Sequence, residues 1–267
     1  MPAVPVIFRC LSQRFRQCQT VQWAFLEMTP EISLILPAYN EARVIPVTIA
    51  EAVRYFESRG LSYQIIVAAD GADGTREIVR QMAVANPALL ATGAEARRGK
   101  GLGIREAVAI ATGAIIGYAD ADNKVPIDDF DKFRPVLAAG ADMAIGSRRG
   151  AAVIERAQPL YRRVGSVGFS WFMHVAVGLA GIQDTQCGFK FFQHAVAKEL
   201  FRRQKIDGYM FDVEILAIAR RLGYRIEQLP IRWRDDADSR FNVISALCDV
   251  HEIFRIGREH RFGGRLQ

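Results

Sequence analysis

From residue 32 onward, short apolar runs alternate with amphipathic helix patterns, and the early runs end in polar loops that carry carboxylates. That alternation restricts the chain to the α/β class: a Rossmann-like, mostly parallel sheet with flanking helices. The run ISLILP at residues 32–37 predicts the first strand. Its loop, Ala38-Tyr39-Asn40-Glu41, leads to a helix with Ile45, Ile49, Ala52, Val53 and Phe56 on one stripe, ending near Gly60. QIIVAA at residues 64–69 predicts the second strand, which enters the polar turn Asp70-Gly71-Ala72-Asp73-Gly74-Thr75. The helix after it carries Ile78, Val79 and Met82 and stops before Pro87. A short third strand is expected around Leu89. The basic, glycine-rich Arg97-Arg98-Gly99-Lys100-Gly101 then precedes a helix through Ile110, and a further strand, AIIGYA at residues 114–119, ends in two carboxylates, Asp120 and Asp122.

Side chains alternate faces along a strand, so Asp120 and Asp122 can project together where the strand ends and offer hard oxygen ligands to Mg²⁺ or Mn²⁺. Such an ion can hold a diphosphate. Ordinary turn chemistry also accounts for an isolated acidic pair, and the context decides between the two. Ligands of open α/β sheets bind beyond the carboxyl ends of the strands, so residues 39–41, 70–73 and 120–122 are expected to face one site. No GxGxxG follows the first strand and no GxxxxGK[ST] occurs, which removes the hydride-transfer and P-loop ATPase readings.

With 267 residues, 50% of them hydrophobic, the chain can bury a substantial core. Its net charge of +6 fits phosphate-bearing ligands, anionic membrane surfaces or nucleic acid. The positive residues near the motifs are mixed with acids, and no recognised nucleic-acid-binding element is present, so no nucleic-acid partner is expected. Cys10, Cys18, Cys187 and Cys248 lack metal-ligand spacing and read as free thiols. Residues 1–30 form an N-terminal extension. It is either a basic amphipathic surface helix, with Arg9, Arg14 and Arg16 among Phe8, Leu11, Phe15 and Trp23, or a stretch ahead of a true start at Met28. Residues 31–240 are read as the catalytic domain. Residues 241–267 are read as a C-terminal amphipathic helix and tail, with Val243, Ile244, Leu247, Val250 and Phe254 as the apolar stripe. Residues 164–182 are apolar but interrupted by glycines, Ser166, Ser170 and His174, and do not reach a convincing transmembrane length.

The motifs PAYNE at 37–41, DADN at 120–123, GSR at 146–148 and DTQCGFK at 184–190 resemble those of family-2 glycosyltransferases. Within that family the chain is most similar to dolichyl-phosphate β-glucosyltransferases and related polyprenyl-phosphate hexosyltransferases. The similarity runs over roughly residues 32–256 and includes IDGYMFDVE at 206–214 and the RW stretch after Pro230. It implies a type-A glycosyltransferase fold, a nucleotide-diphosphate sugar donor, Mg²⁺ or Mn²⁺, and a polyprenyl phosphate acceptor. Oligomeric state is left open.

The resemblance also assigns roles. Pro37, Ala38, Tyr39 and Glu41 border the donor nucleotide, and Asp70 recognises its base or ribose. Asp120 and Asp122 form the family's DxD motif and hold the metal, with Asp122 as the direct ligand. Lys100 matches an RGKG-like element and reaches the donor's phosphate or base, with a solvated turn lysine as the alternative. Ser239 and Arg240 match the end of a loop that closes over the donor diphosphate or the acceptor. Arg148 is expected among the catalytic residues and, with Arg162, Arg163 and Ser166, around the acceptor phosphate, which guanidinium groups can engage bidentately. Asp184 either orients the sugar or a loop, or caps a turn. Cys187 is read as structural, and Glu214 as support before chemistry. Three departures from the family pattern stand out. The Asp70 loop lacks one acid and is one residue shorter, Lys124 stands where some relatives have a neutral side chain, and Asp236 stands where some have a basic one.

A phosphate monoester has its second pKa near about 6, so a polyprenyl phosphate is largely dianionic at neutral pH and needs no strong protein base. The expected reaction is a single in-line displacement that inverts the anomeric carbon of a hexose, most simply glucose, with the enzyme supplying alignment and charge. Peripheral attachment to the cytoplasmic face of a membrane would give access to the lipid. The alternatives are a different lipid or glycan acceptor, or a catalytically silent nucleotide-sugar or membrane-binding module.

Overall fold

A computed structural model of the chain describes residues 29–149, 153–154, 177–234, 252–253 and 255–258. The first half builds three parallel strands and the helices between them: β1 (Ile32–Tyr39), α1 (Ile45–Ser58), β2 (Tyr63–Asp70), α2 (Thr75–Ala85), β3 (Leu89–Thr92) and α3 (Lys100–Ile110). β4 (Ile115–Ala119) returns beside β1, and a 3₁₀ turn (Ile127–Asp129) leads into α4 (Phe130–Ala138) and β5 (Met143–Ser147). After β6 (Val153–Ile154) come β7 (Phe189–Gln193), α5 (His194–Arg203), α6 (Phe211–Arg221), β8 (Ile226–Pro230) and β9 (Arg232–Trp233).

Seven strands form one sheet in the order β3-β2-β1-β4-β7-β5-β8, and β6 pairs with β9 in a small parallel ribbon. β7 is antiparallel to both β4 and β5. The first two strands are slightly longer than the apolar runs suggest, because pairing continues through the full register from Ile32↔Tyr63 to Tyr39↔Asp70. That extension carries the strand geometry to the residues that line the cleft.

The period-2 alternation sorts side chains onto two cores. Ile32, Leu34 and Leu36 pack on one face with α1 and α4, while Ile35 faces the layer of α3, α5 and α6. β7 divides in the same way: Phe189 and Phe191 pack on the first face and Phe192 on the second. The Phe191 ring lies 4.4 Å from Phe130, tilted to it, and 5.4 Å from Phe133, edge to face, centroid to centroid. Opposite it in register is Gly117, where an added Cβ would lie 2.1 Å from the Phe191 ring. A side chain at 117 would therefore push the ring out of this cluster.

Ile253 and Ile256, in the helical stretch near the C-terminus, are buried against the α3–α5–α6 layer. The stripe expected at Val243, Ile244, Leu247, Val250 and Phe254 lies outside the described residues, as do residues 1–28 and most of 164–182. Among the described residues no helix is long and apolar enough to cross a membrane.

Candidate active site

A cleft of about 590 Å³ opens at the carboxyl ends of β1, β2 and β4. Pro37, Ala38, Tyr39, Glu41, Asp70, Lys100, Asp120 and Asp122 all line it, so the three polar loops expected to converge do so. The convergence is pinned by side chains. Asp73 accepts from the amide of Ala42 at 2.9 Å and from the Thr75 hydroxyl at 2.6 Å, and Thr75 in turn accepts from the amide of Glu41 at 3.1 Å. Buried Arg76 donates to the carbonyls of Ala69, Gly71 and Ala94, which fixes the shortened loop from beneath.

Asp70 is engaged by protein groups. It accepts from the amides of Ala94 at 3.1 Å and Arg98 at 2.8 Å, and from the Arg98 guanidinium at 3.1 Å, whose other edge meets Glu106. The carboxylate thus anchors the basic loop ahead of α3 at the rim of the cleft. Arg97, one residue earlier, lies over the Tyr39 ring at 4.7 Å and donates to the Tyr209 hydroxyl at 3.3 Å. Two exposed aromatic rings and a guanidinium thereby make the rim a flat, polarisable surface suited to a planar base.

At the floor, Lys100 starts α3 and places its ammonium 2.6 Å from Asp120 Oδ1. Burial works against the charged lysine, but Asp120 and Asp212 outweigh it and raise its pKa, so Lys100 stays cationic. It is a paired floor residue, which excludes the solvated-turn alternative. Lys124 places its ammonium 3.1 Å from Asp122 Oδ2. Asn123, in the left-handed region at φ 56°, bonds through its side chain to Glu51 and holds the turn between them.

The DTQCGFK segment enters beside this pair because β7 runs antiparallel, which sets its first residue opposite the last residue of β4 (Ala119↔Phe189). The carbonyl of Gly188 accepts from the amide of Asp120 at 3.0 Å. At the other end of the segment, Asp184 accepts from Arg148 Nε at 2.8 Å, from its terminal nitrogen at 2.9 Å and from its amide at 3.0 Å. Burial tends to raise the Asp184 pKa, yet the hydrogen bonds and charge of Arg148 hold it below the usual carboxylate range. Arg148 is not among the described lining residues, but its guanidinium feels the charge of Asp120 and lies 5.7 Å from the Trp233 ring. Cys187 is a buried free thiol whose pKa burial, aided by Asp184, pushes up to about 12, in keeping with a structural role.

Beneath the segment, fully buried Lys190 donates to the carbonyls of Thr185 at 3.1 Å and Cys187 at 2.7 Å and to Asp212 Oδ1 at 2.5 Å, and the Tyr118 hydroxyl donates to the same oxygen. Glu214 accepts from the amides of Lys205 and Ile206, the supporting role expected of it. Sequence reasoning did not find Arg97, Asp212, Tyr209 or Glu252 at the site. Tyr209 and Asp212 sit inside the IDGYMFDVE run, the one signal that pointed to them. Arg162, Arg163, Ser166, Ser239 and Arg240 lie outside the described residues.

Among the described residues no group of three or more His, Cys, Asp or Glu side chains is arranged to hold an ion. Asp120 and Asp122 supply two carboxylates, which suits Mg²⁺ or Mn²⁺ sharing its shell with substrate phosphate and water rather than sitting in a protein cage.

Comparison with known proteins decides the class. Residues 33–201 match the family model described as Glycosyl transferase family 2. The chain belongs to that family. This family-2 glycosyltransferase is 32% identical over 243 residues to the dolichyl-phosphate beta-glucosyltransferase ALG5A of Trichomonas vaginalis, covering 87% of this chain and 74% of the relative. It is 30% identical over 236 residues to the dolichyl-phosphate beta-glucosyltransferase of Drosophila melanogaster, covering 81% and 72%. The human enzyme of that name is 30% identical over 230 residues, covering 79% and 70%. Among solved structures, mannosyl-3-phosphoglycerate synthase from Rubrobacter xylanophilus aligns with a TM-score of 0.64 at 21% identity, over 89% of this chain and 76% of that one. Glucosyl-3-phosphoglycerate synthase from Mycobacterium tuberculosis, in complex with Mn²⁺, UDP and phosphoglyceric acid, aligns at 0.62 and 21% identity over 88% and 79%. At such identities these likenesses establish the fold, and it is the type-A glycosyltransferase fold expected from the motifs.

Proposed function

We propose that this glycosyltransferase moves a hexose, most simply glucose, from a nucleotide diphosphate to a polyprenyl phosphate such as dolichyl phosphate, with inversion and with Mg²⁺ or Mn²⁺. The observation that carries the reading is the double reach of one segment: DTQCGFK touches the acidic pair through Gly188 and clamps Arg148 through Asp184. A donor at Asp120 and Asp122 and an acceptor phosphate at Arg148 would then be registered against each other by a single piece of chain. The names of the relatives support the acceptor and the sugar.

Tyr39, Glu41 and the Arg97 rim would hold the nucleotide, and Asp70 acts through the loop it anchors. The two lysine–aspartate pairs sum to zero charge, so the floor alone does not balance a diphosphate. Asp120 and Asp122 would hold a divalent ion there, which would supply the missing positive charge and Lewis acidity toward the departing nucleotide. Arg148, fixed in orientation by its bidentate contact with Asp184, would orient the acceptor's dianionic phosphate for in-line attack, and no protein base is required. Arg162, Arg163 and Ser166 would add to the acceptor side, and Ser239 and Arg240 to closure over the donor. Access to a lipid substrate calls for contact with a membrane, for which peripheral attachment at the cytoplasmic face is the proposed arrangement.

The test supplies labelled UDP-glucose or GDP-mannose, dolichyl phosphate and Mg²⁺ or Mn²⁺ to the full chain and to Asp122→Ala, and counts label entering the organic phase. Metal-dependent transfer that the variant loses is expected. Absence of transfer from a folded protein with either donor would overturn the assigned substrates.

A further inference from the structure

We propose that Lys124 is a tethered competitor for the metal at Asp122, which makes tight capture of the ion conditional on the nucleotide's diphosphate; the inference rests on the metal-dependent reading above. Residue 124 engages both oxygens of the Asp122 carboxylate. Its ammonium lies 3.1 Å from Oδ2, and its backbone amide donates to Oδ1 at 3.3 Å.

The backbone that carries this side chain is held at two points. The carbonyl of Lys124 accepts from the amide of Arg234 at 3.0 Å, and the preceding Asn123 is tied to Glu51 on α1. The Lys124 side chain is also less exposed than that of Asp122, 23% against 38%.

An ion that coordinates Asp122 must displace this ammonium from the carboxylate and then share the site with it. Asp120 does not relieve the repulsion, because Lys100 already pairs with it at 2.6 Å. A nucleotide diphosphate changes the balance: its negative charges offset both the ion and the released ammonium. Ion and nucleotide affinities are therefore coupled, and by linkage each raises the other. The consequence is ordered loading, in which the ion enters with the donor rather than ahead of it.

The measurement is an Mn²⁺ titration of the full chain followed by the electron paramagnetic resonance signal of the free ion, with and without saturating UDP. Wild type, Lys124→Ala, Lys124→Arg and Asp122→Asn are compared. Without UDP, removal of the competing charge in Lys124→Ala should tighten Mn²⁺ binding by about three- to fivefold, the scale of a partly exposed ion pair, and Lys124→Arg should bind like wild type. With UDP the wild type and Lys124→Ala should converge. Should the alanine variant fail to fold, Lys124→Met carries the same expectation with the aliphatic stem retained. Equal Mn²⁺ affinities for wild type and Lys124→Ala without UDP, with Asp122→Asn still weakened, would overturn the competitor and leave the metal reading standing. No Mn²⁺ binding by any of the proteins, with or without UDP, would overturn both.

Discussion

Gly188 lies against the carboxylate of Asp120 so closely that a Cβ at position 188 would meet Oδ2 at 2.1 Å. The contact is made to the movable end of a side chain, so Gly188→Ala should leave the fold intact and turn the carboxylate away. Transfer should fall by about a hundredfold, roughly 2.7 kcal/mol of lost transition-state stabilisation, with the melting temperature nearly unchanged. Steady-state kinetics beside a thermal melt checks this. An active Gly188→Ala would show that Asp120 has room to move without loss.

The Arg148–Asp184 pair predicts a dependence on pH. The Asp184 pKa is depressed in the folded chain, so the pair's contribution is fully present above the unfolded value of about 4 and is lost as pH falls through the lower folded value. Asp184→Asn should cost about 2 kcal/mol at neutral pH and flatten the acid limb of stability below about pH 4. Urea unfolding from pH 2 to 7 reads both effects. Arg148→Lys keeps the charge but loses the fork, and should raise KM for the lipid phosphate by about tenfold more than KM for the donor.

Lys190 and Asp212 are a buried ion pair with a hydroxyl bonded to the same oxygen. Lys190→Met should destabilise the chain by about 3–5 kcal/mol, because it leaves Asp212 buried and without its cation. Pairing it with Asp212→Leu should restore part of that loss. Denaturant midpoints for the two single variants and the double variant form the cycle.

Asp70 and Arg98 should behave as one unit in donor binding. Asp70→Ala and Arg98→Ala should each raise the donor KM by about tenfold, and the double variant should be little worse than either, since both release the same loop. Additive losses would instead indicate that Asp70 contacts the nucleotide independently.

The strand-and-loop order of the first half was legible because β1, β2 and β4 are short runs dense in Ile, Leu and Val. Those runs end in polar residues, and the period-2 burial of β1 then follows from the pleat. The acidic pair was legible by its motif. What was not legible depends on pairing over long separations. Arg148 meets Asp184 across 36 residues, Lys100 meets Asp120 across 20 and Lys190 meets Asp212 across 22. A lone arginine or lysine in sequence carries no mark of the partner it will neutralise. Asp70 adds a partner its motif did not announce: the residue lines the cleft, and its oxygens also accept from Arg98 and two backbone amides.

The placement of β7 between β4 and β5 has a consequence for how the chain reaches its native state. The strands made first, β1 to β4, can zip up as synthesis proceeds, but β4 keeps a bare edge until residues 189–193 have emerged and inserted. Such late, non-local closure is slow and leaves an adhesive edge in the interim. The same event delivers Gly188 to Asp120, so a nascent chain caught before closure holds its acidic turn without its backbone partner. Closure of the sheet and completion of the acidic turn are thus one step, and a prematurely terminated chain is left with both an adhesive edge and an unsupported turn.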